Sequence, residues 1–121
     1  MTKATSHVVL IVEDEEDLRE LMQQALESRG YAVVTAEEGQ DALAKLDGIE
    51  PPCLVLLDLL MPGMNGWEFF SKLRERPELE GVPVIVHSSA SERAPAGVTQ
   101  VLQKPITFER LLAIVGNYCS G

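Results

Sequence analysis

The stretch CLVLLDLLMPGMNGWEFF, residues Cys53 to Phe70, decides how this chain folds. It opens with five apolar residues, Cys53 to Leu57, with no polar alternation. Such a run predicts a strand buried on both faces, and Asp58 ends it. The next segment, Met61-Pro62-Gly63-Met64-Asn65-Gly66, is too rich in Gly and Pro for regular structure and reads as a loop. A helix follows from about Trp67 to Arg76, with Phe69, Phe70 and Leu73 as core residues. The stretch is thus one strand–loop–helix unit with a carboxylate at the strand's carboxyl end.

The same unit recurs on either side. His7 to Val12 is a continuous apolar strand, followed by a helix from about Glu16 to Arg29. In that helix Leu18, Leu21, Met22, Ala25 and Leu26 share one face. Asp14 to Asp17 place negative charge at its start, where the helix dipole favours it, and Gly30 stops it. Tyr31 to Ala36 is a second strand, and Gln40 to Leu46 a second helix. Past the opening stretch, Val82 to His87 is the fourth strand and Val98 to Gln103 the fifth. Between them, Ser88 to Gly97 contains Pro95 and Gly97 and has room for one helical turn before Pro95. Thr107 caps a last helix carrying Phe108, Leu111, Leu112, Val115 and Tyr118. Alternating strands and helices imply a parallel sheet covered on both faces with right-handed crossovers. Five strands fit the flavodoxin-like order 2-1-3-4-5, with the fourth helix shortened or absent.

The 121 residues, 45% hydrophobic, suit a single domain spanning 1–121. A net charge of −9 argues against direct nucleic-acid binding, which needs a basic surface. Neither a membrane span nor a secretory signal is apparent, so the cytoplasm is the expected location. Cys53 and Cys119, far apart in sequence, are expected to be reduced, buried thiols.

In such sheets ligands bind at the carboxyl ends of the strands, where the strand order reverses. Strand 1 ends in Glu13-Asp14, strand 3 in Asp58, strand 4 in Ser88 and strand 5 in Lys104, while strand 2 ends in Thr35-Ala36. Three carboxylates brought together need a proton or a cation. Mg²⁺ suits such an oxygen-lined site. Lys104 adds a fixed positive charge and Ser88 a hydroxyl donor. Metal, ammonium and hydroxyl are what a phosphoryl group in transfer requires, and a carboxylate can itself be the nucleophile. Taken singly each residue has a plainer reading: acidic helix caps, a strand-end serine, an ordinary Lys-Pro. The conjunction, each at its own strand end, is specific. His87 reads as a packed strand residue rather than a base, His7 as a strand-edge residue, and Met61 and Met64 as loop residues.

On these residues the chain resembles the receiver domains of bacterial response regulators. The motifs are LIVEDE (Leu10 to Glu15), LLDLLMPGMNGWE (Leu56 to Glu68), PVIVHSSA (Pro83 to Ala90) and LQKPI (Leu102 to Ile106). The resemblance implies that Asp58 accepts a phosphoryl group from a histidine kinase or phosphotransfer protein, with an output partner it does not name. It implies Mg²⁺ on Asp14, Asp58 and the main-chain carbonyl of Leu60, with Glu13 supporting it through water. Ser88 and Lys104 would hold the phosphoryl group, and Lys104-Pro105 would be cis. Such a domain phosphorylates and dephosphorylates itself without being a turnover enzyme.

The chain departs from the family pattern in three places. The span from Ser88 to Lys104 is about six residues short, worth roughly 9 Å of helix. Val101 stands where the family usually has an aromatic switch residue. Leu60 stands where many relatives have a polar residue, which implies slow self-dephosphorylation. The first two departures keep a second function in play, a pseudo-receiver that binds partners without phosphorylation. A flavodoxin-like cofactor binder fits less well, since the acidic stretch after strand 1 would repel a cofactor phosphate.

Overall fold

Val9 to Val12 and Leu54 to Leu57 are buried at every position because both lie at the centre of a parallel sheet. The computed structural model describes residues 7–88 and 93–119. Its elements are β1 (Val8–Val12), α1 (Glu16–Glu27), β2 (Ala32–Ala36), α2 (Gly39–Leu46) and β3 (Leu54–Leu57). They continue with α3 (Gly66–Arg74), a 3₁₀ turn (Pro77–Leu79), β4 (Val84–Ser88), β5 (Gln100–Gln103) and α4 (Phe108–Cys119). The sheet order is β2-β1-β3-β4-β5, as expected, with every pair parallel. Among the described residues no helix lies between β4 and β5, so α4 corresponds to the fifth helix of the full pattern. The single turn considered before Pro95 falls mostly on 89–92, outside the described residues.

Side chains alternate across the strands and build two cores. Leu10, Val12, Val55, Leu57 and Val84 face α2 and α3, with Phe69 fully buried among them. Val9, Ile11, Leu54, Leu56 and Ile85 face α1 and α4. Truncating Phe69 to alanine would leave a cavity worth about 3–5 kcal/mol.

Several expectations about individual residues change. On α1, Met22 and Leu26 are buried, but Leu21 is 47% exposed and lies outside the core. On α4, Phe108 and Tyr118 sit on the outer side, while Leu111, Ile114 and Val115 point inward. Met61 lies in the loop as expected, but its side chain is buried in the α2–α3 core. The strands and helices also begin or end one to three residues from the sequence boundaries, as frayed ends do.

The cysteines are the main correction. Cys53 and Cys119 form a disulfide, their Cα atoms 5.4 Å apart. Cys53 immediately precedes β3 and Cys119 closes α4, which packs across β3. They stand 66 positions apart in the chain, but the fold brings them together. Separation along the chain carried no information about that meeting.

Candidate active site

The parallel ladders run one residue past the strands, and this extension assembles the site. The amide of Glu13 donates to the Ala36 carbonyl (3.0 Å), that of Asp58 to Val12 (2.9 Å) and that of Lys104 to Ser88 (2.7 Å). Glu13, Asp58 and Lys104 are therefore held by backbone hydrogen bonds at the carboxyl edge of the sheet. A carboxylate oxygen from each of Glu13, Asp14 and Asp58 lies within 4.8 Å of the others. Asp58, Glu13 and Ser88 are buried, while Asp14 is exposed. Lys104 Nζ reaches Glu13 Oε1 at 3.0 Å and Asp58 Oδ2 at 3.6 Å. Four of the residues expected at the strand ends, Glu13, Asp14, Asp58 and Lys104, thus converge, and Ser88 ends the neighbouring β4, its carbonyl bonded to the Lys104 amide. Leu60 lies two residues beyond Asp58 with its side chain half exposed.

The loop after Asp58 is fixed from both sides. Asn65 and Glu68 form a reciprocal capping box at the start of α3, with bonds of 2.9 and 3.1 Å. The Glu38 carboxylate, which caps α2, also accepts from the Met64 amide at 3.1 Å. Gly66 donates its amide to the Leu59 carbonyl at 2.9 Å. A Cβ on Gly66 would stand 2.6 Å from the Asp58 carbonyl oxygen and 2.7 Å from Leu59 Cα, so only glycine allows this approach. The Lys104-Pro105 bond is cis, as the family resemblance implied.

Burial and mutual repulsion shape the charges. Desolvation, then the Glu13 charge, push the Asp58 carboxyl up to about 7, although Lys104 pulls it back. Burial also raises Glu13, against the pull of Lys104. Burial disfavours the Lys104 ammonium, but its bond to Glu13 and the nearby carboxylates prevail, and it titrates above its ordinary value. His87, one residue before Ser88, is lowered to about 4 by burial and by the Lys104 charge, so it is a neutral imidazole near pH 7. It is 3% exposed and neither ring nitrogen has a hydrogen-bond partner, which fits the packed reading.

The donor set fits a hard divalent cation. Three convergent carboxylates with one lysine leave an excess of negative charge on oxygen donors alone. A cation of the Mg²⁺ class would offset it.

Two residues of the site escaped sequence reading. Arg19 Nη1 donates to the Glu13 carbonyl at 2.9 Å and so clamps the end of β1. Its signal was a lone cation inside the acidic run Glu13 to Glu20. Gly66 was legible only as a loop residue. Beside Lys104, a recess of about 470 Å³ opens between α1 and the β5–α4 connection. Leu18, Leu21, His87, Pro105 and Ile106 line it, which accounts for the outward Leu21.

Comparison with known proteins adds to this geometry. The family model described as the response regulator receiver domain matches residues 9–116. Protein PilH of Pseudomonas aeruginosa is 31% identical, the match covering 93% of this chain and 98% of that protein. The phosphate regulon transcriptional regulatory protein PhoB of Rhizobium meliloti is 34% identical over 88% of this chain, which spans only 49% of PhoB. Among solved structures, chemotaxis protein CheY4 of Vibrio cholerae superposes with a TM-score of 0.83 at 29% identity, covering 95% of this chain and 99% of CheY4.

Proposed function

The chain belongs to the response regulator receiver domain family, and from that premise we propose that it is a phosphorylation switch whose phosphoacceptor is Asp58. The observation that carries the reading is the meeting of Asp58 with Glu13, Asp14 and Lys104 at one edge of the sheet. An Asp58 carboxylate oxygen attacks the phosphorus of a phosphohistidine on a kinase or phosphotransfer protein. The P–O bond forms, the P–N bond breaks, and the departing imidazole nitrogen takes a proton from solvent. Asp14, Asp58 and the Leu60 carbonyl would hold Mg²⁺, with Glu13 supporting it. Bound there, the metal supplies positive charge for the phosphoryl oxygens. Lys104 exchanges its carboxylate partners for a phosphoryl oxygen, and Ser88 donates its hydroxyl to another.

The added charge of about −1.5 to −2, by analogy with other protein phosphates, biases the segments around β4 and β5 between two conformations. The partners are the phosphodonor and an output protein, and the compartment is the cytoplasm. The protein carries out both its phosphorylation and its dephosphorylation without turning over as an enzyme. Leu60 presents no polar group to an attacking water, so the adduct decays slowly. Decay as fast in the native protein as in Leu60→Asn would contradict that point.

The test is intact mass after incubation with Mg²⁺ and a small phosphoramidate donor, beside Asp58→Asn. One added phosphoryl group is expected in the native chain, absent without Mg²⁺ and absent in the variant. No adduct on folded, Mg²⁺-bound protein would favour the phosphorylation-independent interaction module. That no helix lies between β4 and β5 among the described residues, and that Val101 is half exposed on β5, are the observations on that side.

A further inference from the structure

The disulfide lies at the end of the sheet opposite the acidic cluster. Cys53 precedes the first residue of β3, whereas Asp58 follows the last. Cys53 is half-buried and Cys119 is fully buried in the core layer beneath α1 and α4. Disulfides in a reducing compartment are seldom permanent staples; those that occur there are mostly redox-responsive. The bond, moreover, is not needed to complete a core that already holds Leu26, Leu54, Leu56 and Leu111 fully buried.

The reduced state is also provided for. Cys53 Sγ lies 3.3 Å from the Val8 carbonyl oxygen, which can accept from the thiol once the bond is broken. Cys119 would rest as a small apolar group among Leu111, Val115 and Leu54. Neither state leaves a buried charge.

We propose that Cys53–Cys119 is a reversible thiol–disulfide site, exchanged by small thiols at Cys53, that locks the last turn of α4 to the base of β3. A small thiolate attacks Cys53 Sγ, on the less buried of the two residues. The protein S–S bond breaks, and Cys119 leaves as a thiolate and takes up a proton. A second small thiolate resolves the mixed disulfide, releasing the small disulfide and the Cys53 thiol. Oxidation is the reverse, with the small-molecule disulfide as oxidant. Because the site is remote from Asp58, its state governs how firmly α4 ends rather than the chemistry at the acidic edge. The inference takes its reducing compartment from the proposed function, but its test uses no phosphodonor.

The experiment equilibrates folded protein in glutathione buffers of graded ratio, quenches with N-ethylmaleimide and reads intact mass. No added group in oxidising buffer, two in reducing buffer and return in both directions, with unchanged far-UV circular dichroism, is the expected result. Amide exchange across Val115 to Cys119 should be about tenfold or more faster in the reduced form, and equally fast in the Cys53→Ser, Cys119→Ala double variant. A bond reducible only in denaturant, or one that never forms from the folded dithiol, overturns the proposal. So does equal exchange in the two forms.

Discussion

Lys104 Nζ stands 3.0 Å from Glu13 Oε1, and that pair sits at the buried end of the acidic cluster. The ammonium is the only cation among the described residues paired with the site's carboxylates. Lys104→Met leaves Glu13 and Asp58 facing each other without it. We expect a loss of about 3 kcal/mol at pH 8. The loss should shrink at pH 5, where the carboxyls can take up a proton. Urea melts at both pH values measure it, and an equal loss at both would contradict the electrostatic account.

Asp58 gives the metal a pH signature. Its carboxyl is raised to about 7 from an ordinary 3.8, chiefly by burial. Between those values the native state holds a proton that the unfolded chain has released. This group's contribution to metal-free stability therefore falls as pH rises through the window. Mg²⁺ must displace the same proton, so its affinity should weaken by up to about tenfold per unit below pH 7. Titration calorimetry in buffers of different ionisation enthalpy would show the released proton. An affinity flat from pH 5.5 to 7 would argue against it.

Gly66 bears on Asp58 through the backbone. In Gly66→Ala the new methyl meets the Asp58 carbonyl at 2.6 Å, so the backbone of Asp58 and Leu59 must shift. We expect a cost of about 1–3 kcal/mol and a weaker response to Mg²⁺ at any stability. Measuring the Mg²⁺-induced rise in melting temperature, native against variant, separates the two effects. An undiminished rise would show that the close approach does not position the carboxylate.

His87 works in the other direction with pH. Lowered to about 4, it is neutral in the fold and charged in the unfolded chain between pH 4 and 6.5. Its contribution is present above pH 6.5 and lost as pH falls toward 4. His87→Leu should relieve that loss, by on the order of 3 kcal/mol at pH 4, and should not lower stability at pH 8. Circular dichroism melts at the two pH values test this, and a variant as acid-sensitive as the native chain would refute it.

The strand order and the meeting of Glu13, Asp14, Asp58 and Lys104 were legible in the sequence for a physical reason. Continuous apolar runs mark the buried central strands, and Glu13 and Asp58 directly follow two of them; β5 (Gln100–Gln103) is an edge strand with polar residues at both ends, and Lys104 follows it. Leu21 was misplaced because helical periodicity gives a stripe but not how much of it a neighbour covers. Gly66 looked like any loop glycine, since the atom its missing Cβ would strike belongs to residues seven and eight positions earlier. Cys53 and Cys119 pair through the packing of α4 on β3, a relation between elements that no local pattern encodes.

The Trp67 indole donates to the Arg93 carbonyl at 2.7 Å, joining the start of α3 to the connection between β4 and β5. Trp67 is the only tryptophan in the chain. Intrinsic fluorescence excited at the red edge therefore has a single origin, and it lies where the loop downstream of Asp58 and the segment downstream of Ser88 are stitched together. The molecule carries its own optical probe at that seam, readable without a label.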